Sequence, residues 1–279
     1  MQALAYAKLN LTLDILGKRE DGYHNLQMVM QSISLSDTLT ITPGSGRMDT
    51  NLSYLPSDER NLAQLAAAAF RRVTGQDCQV DISIDKHIPV CAGMAGGSSD
   101  AAAVLRALNQ LTGAGLTPEQ LAKIGAAVGS DVPYCVLGGT ALAEGRGEVL
   151  QALPPLPACH VVVCKPPFPI STPQLFARVD VKKIVRRPDT RGLIAALERG
   201  DLADVARRMY NVFEDVLEPR RRSEIDAIKS VLIDCGALGA SMTGSGPTVF
   251  GLFDNAQAAR QAQQRLSEQY REVFLAETV

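Results

Sequence analysis

The stretch 89–99 (PVCAGMAGGSS) restricts the fold of this chain more than any other part of the sequence. Residues 79–84 (QVDISI) alternate in polarity as a strand does, and a helical pattern runs from about 98 to 112. Most residues in between are small, so the loop backbone can approach a ligand closely, and its glycines tolerate positive φ. A helix start carries free N–H groups and the positive end of the helix dipole, both of which attract phosphate. The pattern therefore predicts a phosphate-binding loop.

This loop differs from two widespread phosphate-binding sequences. The chain contains no GxxxxGK[ST] run, and no GxGxxG follows a strand pattern. A tight turn into a capped helix is the alternative explanation, but a bare turn seldom needs so many glycines. Ser98 and Ser99 add hydroxyl groups that suit phosphate oxygens or a bound magnesium ion.

Four other features are candidates for a polar site. Asp131 lies between a predicted helix and a predicted strand, either as a cap or as a reacting carboxylate. Lys8 lies in a strand pattern among small and apolar residues, either as an edge charge that reaches solvent or as a cation held toward an anion. Tyr23 and His24 suit stacking on and hydrogen bonding to a base-like ring, or a surface turn. Residues 236–247 form a second glycine cluster, which is either a hairpin tip or a second backbone segment that closes on the same ligand.

Composition excludes several classes of protein. Of the 279 residues, 46% are hydrophobic and 21% are charged, which excludes a disordered chain, a coiled coil and a collagen-like fibre. The net charge of −2 gives no reason to expect nucleic acid or an anionic membrane as a partner.

The six cysteines form no CxxC pair and no zinc spacing, so we expect buried free thiols. We find neither a signal peptide nor a membrane span and expect a soluble, cytoplasmic protein, as a monomer or homodimer.

Strand and helix patterns are mixed along the chain rather than strictly alternating, which favours an α+β fold. Strands are predicted at 3–16, 26–35, 38–42, 79–84, 132–143, 159–164, 238–253 (a hairpin) and 272–277. Helices are predicted at 61–74, 98–112, 117–129, 172–178, 190–218, 223–235 and 255–270. The proline-rich PPLP at 154–157 is the predicted boundary between an N-terminal domain, 1–153, and a C-terminal domain, 158–279.

Four blocks of sequence together resemble the GHMP kinases. They are AKLNLTLDILGKREDGYHNLQ, IPVCAGMAGGSSDAA, GSDVPY and TGSGPTVF, in this order, and the resemblance covers roughly residues 5 to 253. The glycine loop is typical of the superfamily. The AKLNL and DGYHNL block resembles the branch that acts on 4-diphosphocytidyl-2-C-methyl-D-erythritol. The resemblance implies an N-terminal domain like ribosomal protein S5, a ferredoxin-like C-terminal α/β sandwich and an active site in the cleft between them.

The resemblance also implies an activity, an ATP-dependent phosphorylation of the 2-hydroxyl of that cytidine-diphosphate-linked polyol in the non-mevalonate route to isoprenoid precursors. ATP with Mg²⁺ would be the co-substrate, and no prosthetic group is implied. Phosphoryl transfer needs positioning and charge neutralisation more than covalent chemistry. Asp131 would take the proton of the hydroxyl, and Lys8 would keep that carboxylate ionised and oriented.

Further residues of this chain match positions of the family pattern, most of them with a binding role in the family. Tyr23 and His24 match the pair that recognises cytosine, Phe176 would close on the other face of that ring, and Asn10 would lie near the reacting end of the substrate. Asn61 and Lys86 match positions near adenine, and Asn211 matches an asparagine to which we assign no role. The residues that would wrap the ATP phosphates are Pro89, Val90, Cys91, Ala92, Gly93, Met94, Ala95, Gly96, Gly97, Ser98 and Ser99.

Two residues of the loop depart from the family pattern, and three other functions stay open. Met94 replaces a leucine of similar volume. Ala95 stands where many relatives have glycine, so we expect a negative φ there. The alternatives are another GHMP kinase of the homoserine or mevalonate type, a non-catalytic ATP-binding regulator on the same fold, and a nucleic-acid-binding module. The DGYH block argues against the first, the presence of Lys8 and Asp131 against the second, and the net charge against the third.

Overall fold

The computed structural model describes all 279 residues, which form eleven strands and nine α-helices. The strands are β1 (Gln2–Lys18), β2 (His24–Pro43), β3 (Met48–Thr50), β4 (Val80–Asp85), β5 (Thr140–Gly145), β6 (Val149–Ala152), β7 (His160–Lys165), β8 (Tyr210–Asn211), β9 (Gly239–Met242), β10 (Val249–Phe253) and β11 (Glu272–Glu277). The helices are α1 (Leu62–Thr74), α2 (Gly96–Thr112), α3 (Pro118–Ala126), α4 (Val132–Leu137), α5 (Thr172–Arg178), α6 (Thr190–Glu198), α7 (Leu202–Arg208), α8 (Pro219–Asp234) and α9 (Ala256–Ser267). Short 3₁₀ turns lie at Val181–Lys183 and Val212–Val216.

The chain folds into two compact units, each assembled from separate stretches of sequence. The first unit contains Met1–Ala7, Ser36–Ile88 and Ala95–Gly138, and the second contains Lys8–Leu35, Pro89–Met94 and Gly139–Val279. Strands β1 and β2 and the predicted phosphate-binding loop 89–99, called the glycine-rich loop below, therefore contribute residues to both units. The sequence domains predicted on either side of 154–157 stay a prediction.

The first unit packs helices α1 to α4 on a small sheet. Strand β4 pairs with β3 in parallel and with the C-terminal part of β2 in antiparallel, with Ile82 opposite Ile41. Alanines on α1 and α2 let the two helices approach closely, and Phe70, Leu105 and Leu108 fill the core. The first unit thus gives α2, which follows the glycine-rich loop, a rigid base.

The second unit contains two sheets. In one, β1 pairs in parallel with β8 and the N-terminal part of β2 pairs with β5, which in turn pairs with β6. The other is an antiparallel sheet in the order β11-β7-β10-β9, whose strands β7 and β10 are buried on both faces. Helices α8 and α9 contact this sheet. The mixed strands and helices confirm the α+β prediction.

Most predicted elements are confirmed, but three local predictions are wrong. Within 190–218, predicted as helices, residues 210–216 form β8 and then a 3₁₀ turn. Residues 26–35 and 38–42 belong to one continuous strand, β2, rather than to two. Residues 132–143 are not a strand but the short helix α4 followed by β5. The apolar run there fits a buried helix and a buried strand equally well, and pattern alone does not separate them.

The polar face of β1 is buried, although strict alternation predicts that it is exposed. Lys8, Asn10, Thr12 and Asp14 are each no more than 4% exposed. Thr12 accepts a hydrogen bond from the Val29 amide, and Asp14 forms an ion pair with a nearby arginine. Burial of charged groups costs free energy unless they are paired, so this strand places polar chemistry inside the protein.

The cysteines are all free, as predicted, but only three of the six are buried. Burial raises the pKa of Cys159 and of Cys164 to about 12, so neither thiol is reactive at neutral pH. Cys91, in the glycine-rich loop, is exposed. No helix has both the length and the apolar character to cross a membrane.

Candidate active site

The glycine-rich loop ends at Ala95, whose φ of +57° places it in the left-handed region. The expectation of a negative φ is therefore wrong. The chain must turn through this conformation to start α2 at Gly96, and it does so even with an alanine, which costs about 1–2 kcal/mol. No side chain caps α2, so the amides of its first turn are left for an outside acceptor.

The two serines of this first turn have different partners. Ser99 is buried, and its hydroxyl donates to the Tyr6 carbonyl over 2.6 Å. The Ser98 hydroxyl is half-buried and forms no hydrogen bond within the protein. A Cβ built on Gly129 would lie 3.9 Å from Ser98 Oγ, so the segment that leads to Asp131 approaches the start of α2.

Asp131 occupies the N-cap position of α4 but does not cap it with its side chain. It is half-buried, and its carboxylate has no hydrogen bond or ion pair within the protein. The sequence analysis predicts a strand after Asp131, but the structure has the helix α4 there. The dipole of a helix favours a negative charge at its N-terminus. An unengaged carboxylate at this position is free to accept a proton from a ligand.

Lys86 lies in a buried cluster of charges in the first unit. Its ammonium group is paired with Asp37 and, over 2.6 Å, with Asp100. Asp37 also accepts from the backbone amides of His87 and Ile88. Burial lowers the pKa of Lys86, but the two carboxylates outweigh it, and the pKa is raised. This cluster joins the segment that enters the glycine-rich loop to the first turns of α2.

Asn61 caps α1. Its side chain accepts from the Ala63 amide over 3.0 Å and donates to the Pro56 carbonyl. The side chains predicted near adenine, Asn61 and Lys86, are thus both engaged within the protein. A contact of either with adenine would use its backbone or displace these bonds.

The first part of the glycine-rich loop lies against the second glycine cluster. A Cβ built on Gly93 would lie 2.3 Å from the Thr243 carbonyl oxygen, and one on Gly244 would lie 2.6 Å from the Gly93 carbonyl oxygen. Only glycine permits this approach at either position, because both also have positive φ. Pro89, Ala92 and Met94 are buried and Val90 is half-buried. The predicted association of the two glycine clusters is present within the second unit.

Lys8 and Asn10 form a pair on the buried face of β1. Lys8 Nζ donates to Asn10 Oδ1 over 2.5 Å. The Lys8 amide donates to the Met94 carbonyl, and the Asn10 amide donates to Thr243 Oγ1. The Lys8 ammonium group is thus buried with one amide oxygen as its partner and no carboxylate. A buried cation without a counter-ion is costly, and this makes Lys8 a candidate for holding an anionic ligand.

Three aromatic rings, those of His24, Phe176 and Phe213, form an aromatic group in the second unit, which also contains Lys8. The ring of His24 stacks on that of Phe176 at 5.0 Å, and Phe176 contacts the edge of Phe213 at 4.9 Å. Tyr23 is 56% exposed, and the Arg146 guanidinium lies over its ring. Burial, together with the nearby Lys18, lowers the pKa of His24. The structure thus pairs Phe176 with His24, not with Tyr23.

Of the predicted catalytic residues, Lys8 lies in the second unit and Asp131 in the first. No group of three or more His, Cys, Asp or Glu side chains forms a metal cage. Sequence reasoning missed Asp37, Phe213 and Arg146. A carboxylate inside the strand pattern SLSDTLT was the available signal for Asp37.

Comparison with known proteins identifies the family of this chain. The model of the GHMP kinases N terminal domain matches residues 61–139, and that of the GHMP kinases C terminal domain matches 193–272. The chain is 43% identical to the 4-diphosphocytidyl-2-C-methyl-D-erythritol kinases of Clostridium botulinum and Clostridium tetani, in each case with 100% of both chains covered. This chain belongs to that family of GHMP kinases.

Solved structures place this GHMP kinase in the same fold. A crystal structure of 4-(cytidine 5'-diphospho)-2C-methyl-D-erythritol kinase matches with a TM-score of 0.85 at 33% identity, covering 100% of this chain and 99% of that one. The homoserine kinase of Cytophaga hutchinsonii has a TM-score of 0.74 at 20% identity, with 100% of this chain and 94% of that one covered. The second likeness shows the fold alone. As a member of this kinase family, the chain is an enzyme that uses ATP.

Proposed function

We propose that this kinase transfers the γ-phosphoryl group of ATP to the 2-hydroxyl of 4-diphosphocytidyl-2-C-methyl-D-erythritol, a step in isoprenoid precursor synthesis. The observation that carries the proposal is the identity of 42–44% to relatives of that name over 99–100% of both chains. The homoserine and mevalonate alternatives rest on relatives with the same fold at only 19–20% identity. Fold alone does not select a substrate.

In this proposal the residues 89–99 and the first turn of α2 hold the ATP phosphates. The uncapped amides and the helix dipole at Gly96 favour the negative charge. Magnesium would enter with the nucleotide, since Mg²⁺ is usually held by substrate phosphates and waters with few protein ligands. Ser98 would be the hydroxyl that holds it, because Ser99 is buried and donates to the Tyr6 carbonyl, whereas Ser98 is only half-buried. When bound, the ion would neutralise charge on the phosphates.

The aromatic group would bind the cytosine ring. Stacking of a base on an aromatic side chain is worth about 1–3 kcal/mol. Arg146 covers the Tyr23 ring from one side, and the exposure of this ring leaves room for a base. His24 with a lowered pKa is neutral at pH 7, so its ring offers one donor and one acceptor to the base.

Asp131 would act as the general base and Lys8 as the cation that balances charge on the transferring group. The carboxylate of Asp131 is unengaged and can take the proton of the 2-hydroxyl as its oxygen attacks phosphorus. Lys8 contributes a buried positive charge held by Asn10, and such a preorganised charge needs little reorganisation during transfer.

An ADP-release assay with three acceptors tests the proposal. We expect turnover with 4-diphosphocytidyl-2-C-methyl-D-erythritol and none with homoserine or mevalonate. Asp131→Asn, which keeps the size of the side chain, should lower kcat at least about 100-fold with the KM for ATP little changed. Turnover of homoserine or mevalonate at a comparable rate would refute the substrate, and normal turnover of Asp131→Asn would remove this residue from the mechanism.

A further inference from the structure

Asn211 is fully buried in the two-residue strand β8, opposite Leu13 of β1. Its side-chain nitrogen donates to the carbonyls of Met242 and Gly244, each over 2.8 Å. Its side-chain oxygen accepts from the Phe213 amide over 3.0 Å. Both N–H groups are used on carbonyls, so the orientation of the amide is determined, and the side chain can take no other position without leaving buried groups unpaired.

The two carbonyls lie on either side of Thr243, the residue that contacts Asn10. Thr243 Oγ1 accepts from the Asn10 amide over 3.0 Å, and the Gly244 amide donates to Asn10 Oδ1 over 2.9 Å. The same Asn10 oxygen accepts from Lys8 Nζ. Hydrogen bonds joined by the Gly244 backbone therefore lead from Asn211 through Gly244 and Asn10 to the Lys8 ammonium group.

The turn at 243–246 needs this external support. Gly244 and Gly246 both have positive φ, and glycine leaves the backbone conformationally free. A side chain at Gly244 would collide with the Gly93 carbonyl, so the turn cannot be stiffened by a larger residue of its own. The amide of Asn211 holds the backbone from the side instead.

The oxygen of Asn211 acts on the aromatic group. It holds the amide of Phe213, whose ring contacts the edge of Phe176, and Phe176 stacks on His24. One side chain is thus hydrogen bonded to the 242–244 backbone, which contacts the Lys8 partner Asn10, and to Phe213, which contacts Phe176.

We propose that Asn211 is a positioning residue for phosphoryl transfer, which acts through the 242–244 backbone and Asn10 on the Lys8 ammonium group. This inference rests on the proposed function. Asn211 itself contacts neither substrate in this scheme. Its loss would leave Lys8 and Asn10 present but with a misplaced ammonium group, which lowers the rate more than the binding of ATP.

A double-mutant cycle on kcat tests this route of action. Asn211→Ala should lower kcat about tenfold or more, with the KM for ATP changed less than about twofold. In an Asn10→Ala background the same substitution should lower kcat less than about threefold, because the partner through which it acts is already gone. An undiminished effect of Asn211→Ala in that background would overturn the proposal.

Two further variants separate positioning from loss of stability. Leu266→Ala removes a fully buried side chain of α9 in the same unit and should leave kcat unchanged at a temperature where the protein is folded. If Asn211→Ala fails to fold, Thr243→Val removes the hydroxyl that accepts from Asn10 while it preserves shape. It should lower kcat more than Thr243→Ser, which keeps the hydroxyl; equal values for the two would also overturn the proposal.

Amide hydrogen exchange provides a readout that needs no activity. Asn211→Ala should speed up exchange at Asn10 and Gly244, and Leu266→Ala should not. If the unaltered enzyme fails to use the cytidine substrate, the proposed function falls while the exchange result still tests the route to Asn10. Unchanged exchange at both amides in Asn211→Ala would refute the positioning role on its own.

Discussion

The surroundings of Asp100 disfavour the ionised form of its carboxyl group. One oxygen of its carboxylate bonds to Lys86, and the other is buried without a partner. Burial raises the pKa of Asp100; Lys86 opposes this and Asp37 adds to it, and the resulting pKa is about 7. A protonated Asp100 leaves Lys86 paired with one carboxylate, Asp37, and the cluster electrically balanced.

The raised pKa predicts a pH-dependent stability. Because folded Asp100 holds its proton more tightly than the unfolded chain, with its ordinary value of 3.8, stability falls as pH rises from about 4 to about 7. Relative to Asp100→Asn, the wild type should lose at least about 1 kcal/mol of unfolding free energy between pH 5 and 8, measured by urea denaturation. Asp58→Asn is the control: hydrogen bonds from Arg60 hold the pKa of Asp58 at about 2, below this window. A constant difference between wild type and Asp100→Asn would contradict the assignment.

The aromatic group predicts a selective loss of substrate binding. Phe176→Ala removes the ring that stacks on His24, and we expect the KM for the cytidine substrate to rise about tenfold, with the KM for ATP unchanged. Tyr23→Ala should act in the same direction. Tyr54→Ala, which alters an exposed ring without a stacking partner, should change neither constant. Equal effects of Phe176→Ala on both KM values would show that the ring serves the fold and not the base.

At the scale of elements, the decisive feature is the contact between the loop 89–94 and the turn 242–246. At Gly93 a side chain would collide with the Thr243 backbone, and the φ of +73° is unfavourable for any other residue. At Gly97, inside the first turn of α2, an added Cβ would meet only the Leu62 side chain at 3.6 Å. The two glycines belong to one motif but serve different physical purposes.

These glycines form a matched pair of substitutions. Gly93→Ala should destabilise the protein by more than about 1–3 kcal/mol, the cost of a strained backbone, because the collision with Thr243 adds to it. Gly97→Ala should leave stability unchanged or raise it by about 0.5–1 kcal/mol, as expected inside a helix. Chemical denaturation measures both. Equal destabilisation by the two substitutions would mean that the close approach at Gly93 contributes little to stability.

Local patterns predict elements well where one physical rule acts alone. The predicted helix at 61–74 agrees within one residue with α1, which begins after the N-cap Asn61 and ends before Gly75, whose φ is +68°. The predictions failed where a distant segment decides. The Ala95 φ follows from the path of the loop into α2, and the burial of the polar face of β1 follows from contacts with residues more than 200 positions away, such as Thr243. The pattern of polar and apolar residues along the chain does not reveal contacts between such distant segments.

At the scale of the whole molecule, the fold and the acceptor are separate questions. The homoserine kinase of Cytophaga hutchinsonii shares this fold at only 20% identity. The backbone architecture therefore serves different acceptors, and selectivity must come from side chains on that architecture. In this chain Tyr23, His24 and Phe176 are the side chains that we propose for the cytosine.

Ligand-induced stabilisation of the intact protein tests that selectivity without catalysis. A ligand that binds only the folded state at about 100 times its Kd stabilises by about 2.7 kcal/mol, which for a chain of this size raises Tm by about 5 °C. CMP should give a shift of this order at high concentration and UMP a smaller one, because the uracil ring lacks the exocyclic amine of cytosine. In Phe176→Ala the CMP shift should shrink toward that of UMP, while the shift with ATP and magnesium stays. Equal shifts with CMP and UMP in the wild type would mean that the pocket beside His24 does not read the base, and the acceptor proposed here would lose its structural basis.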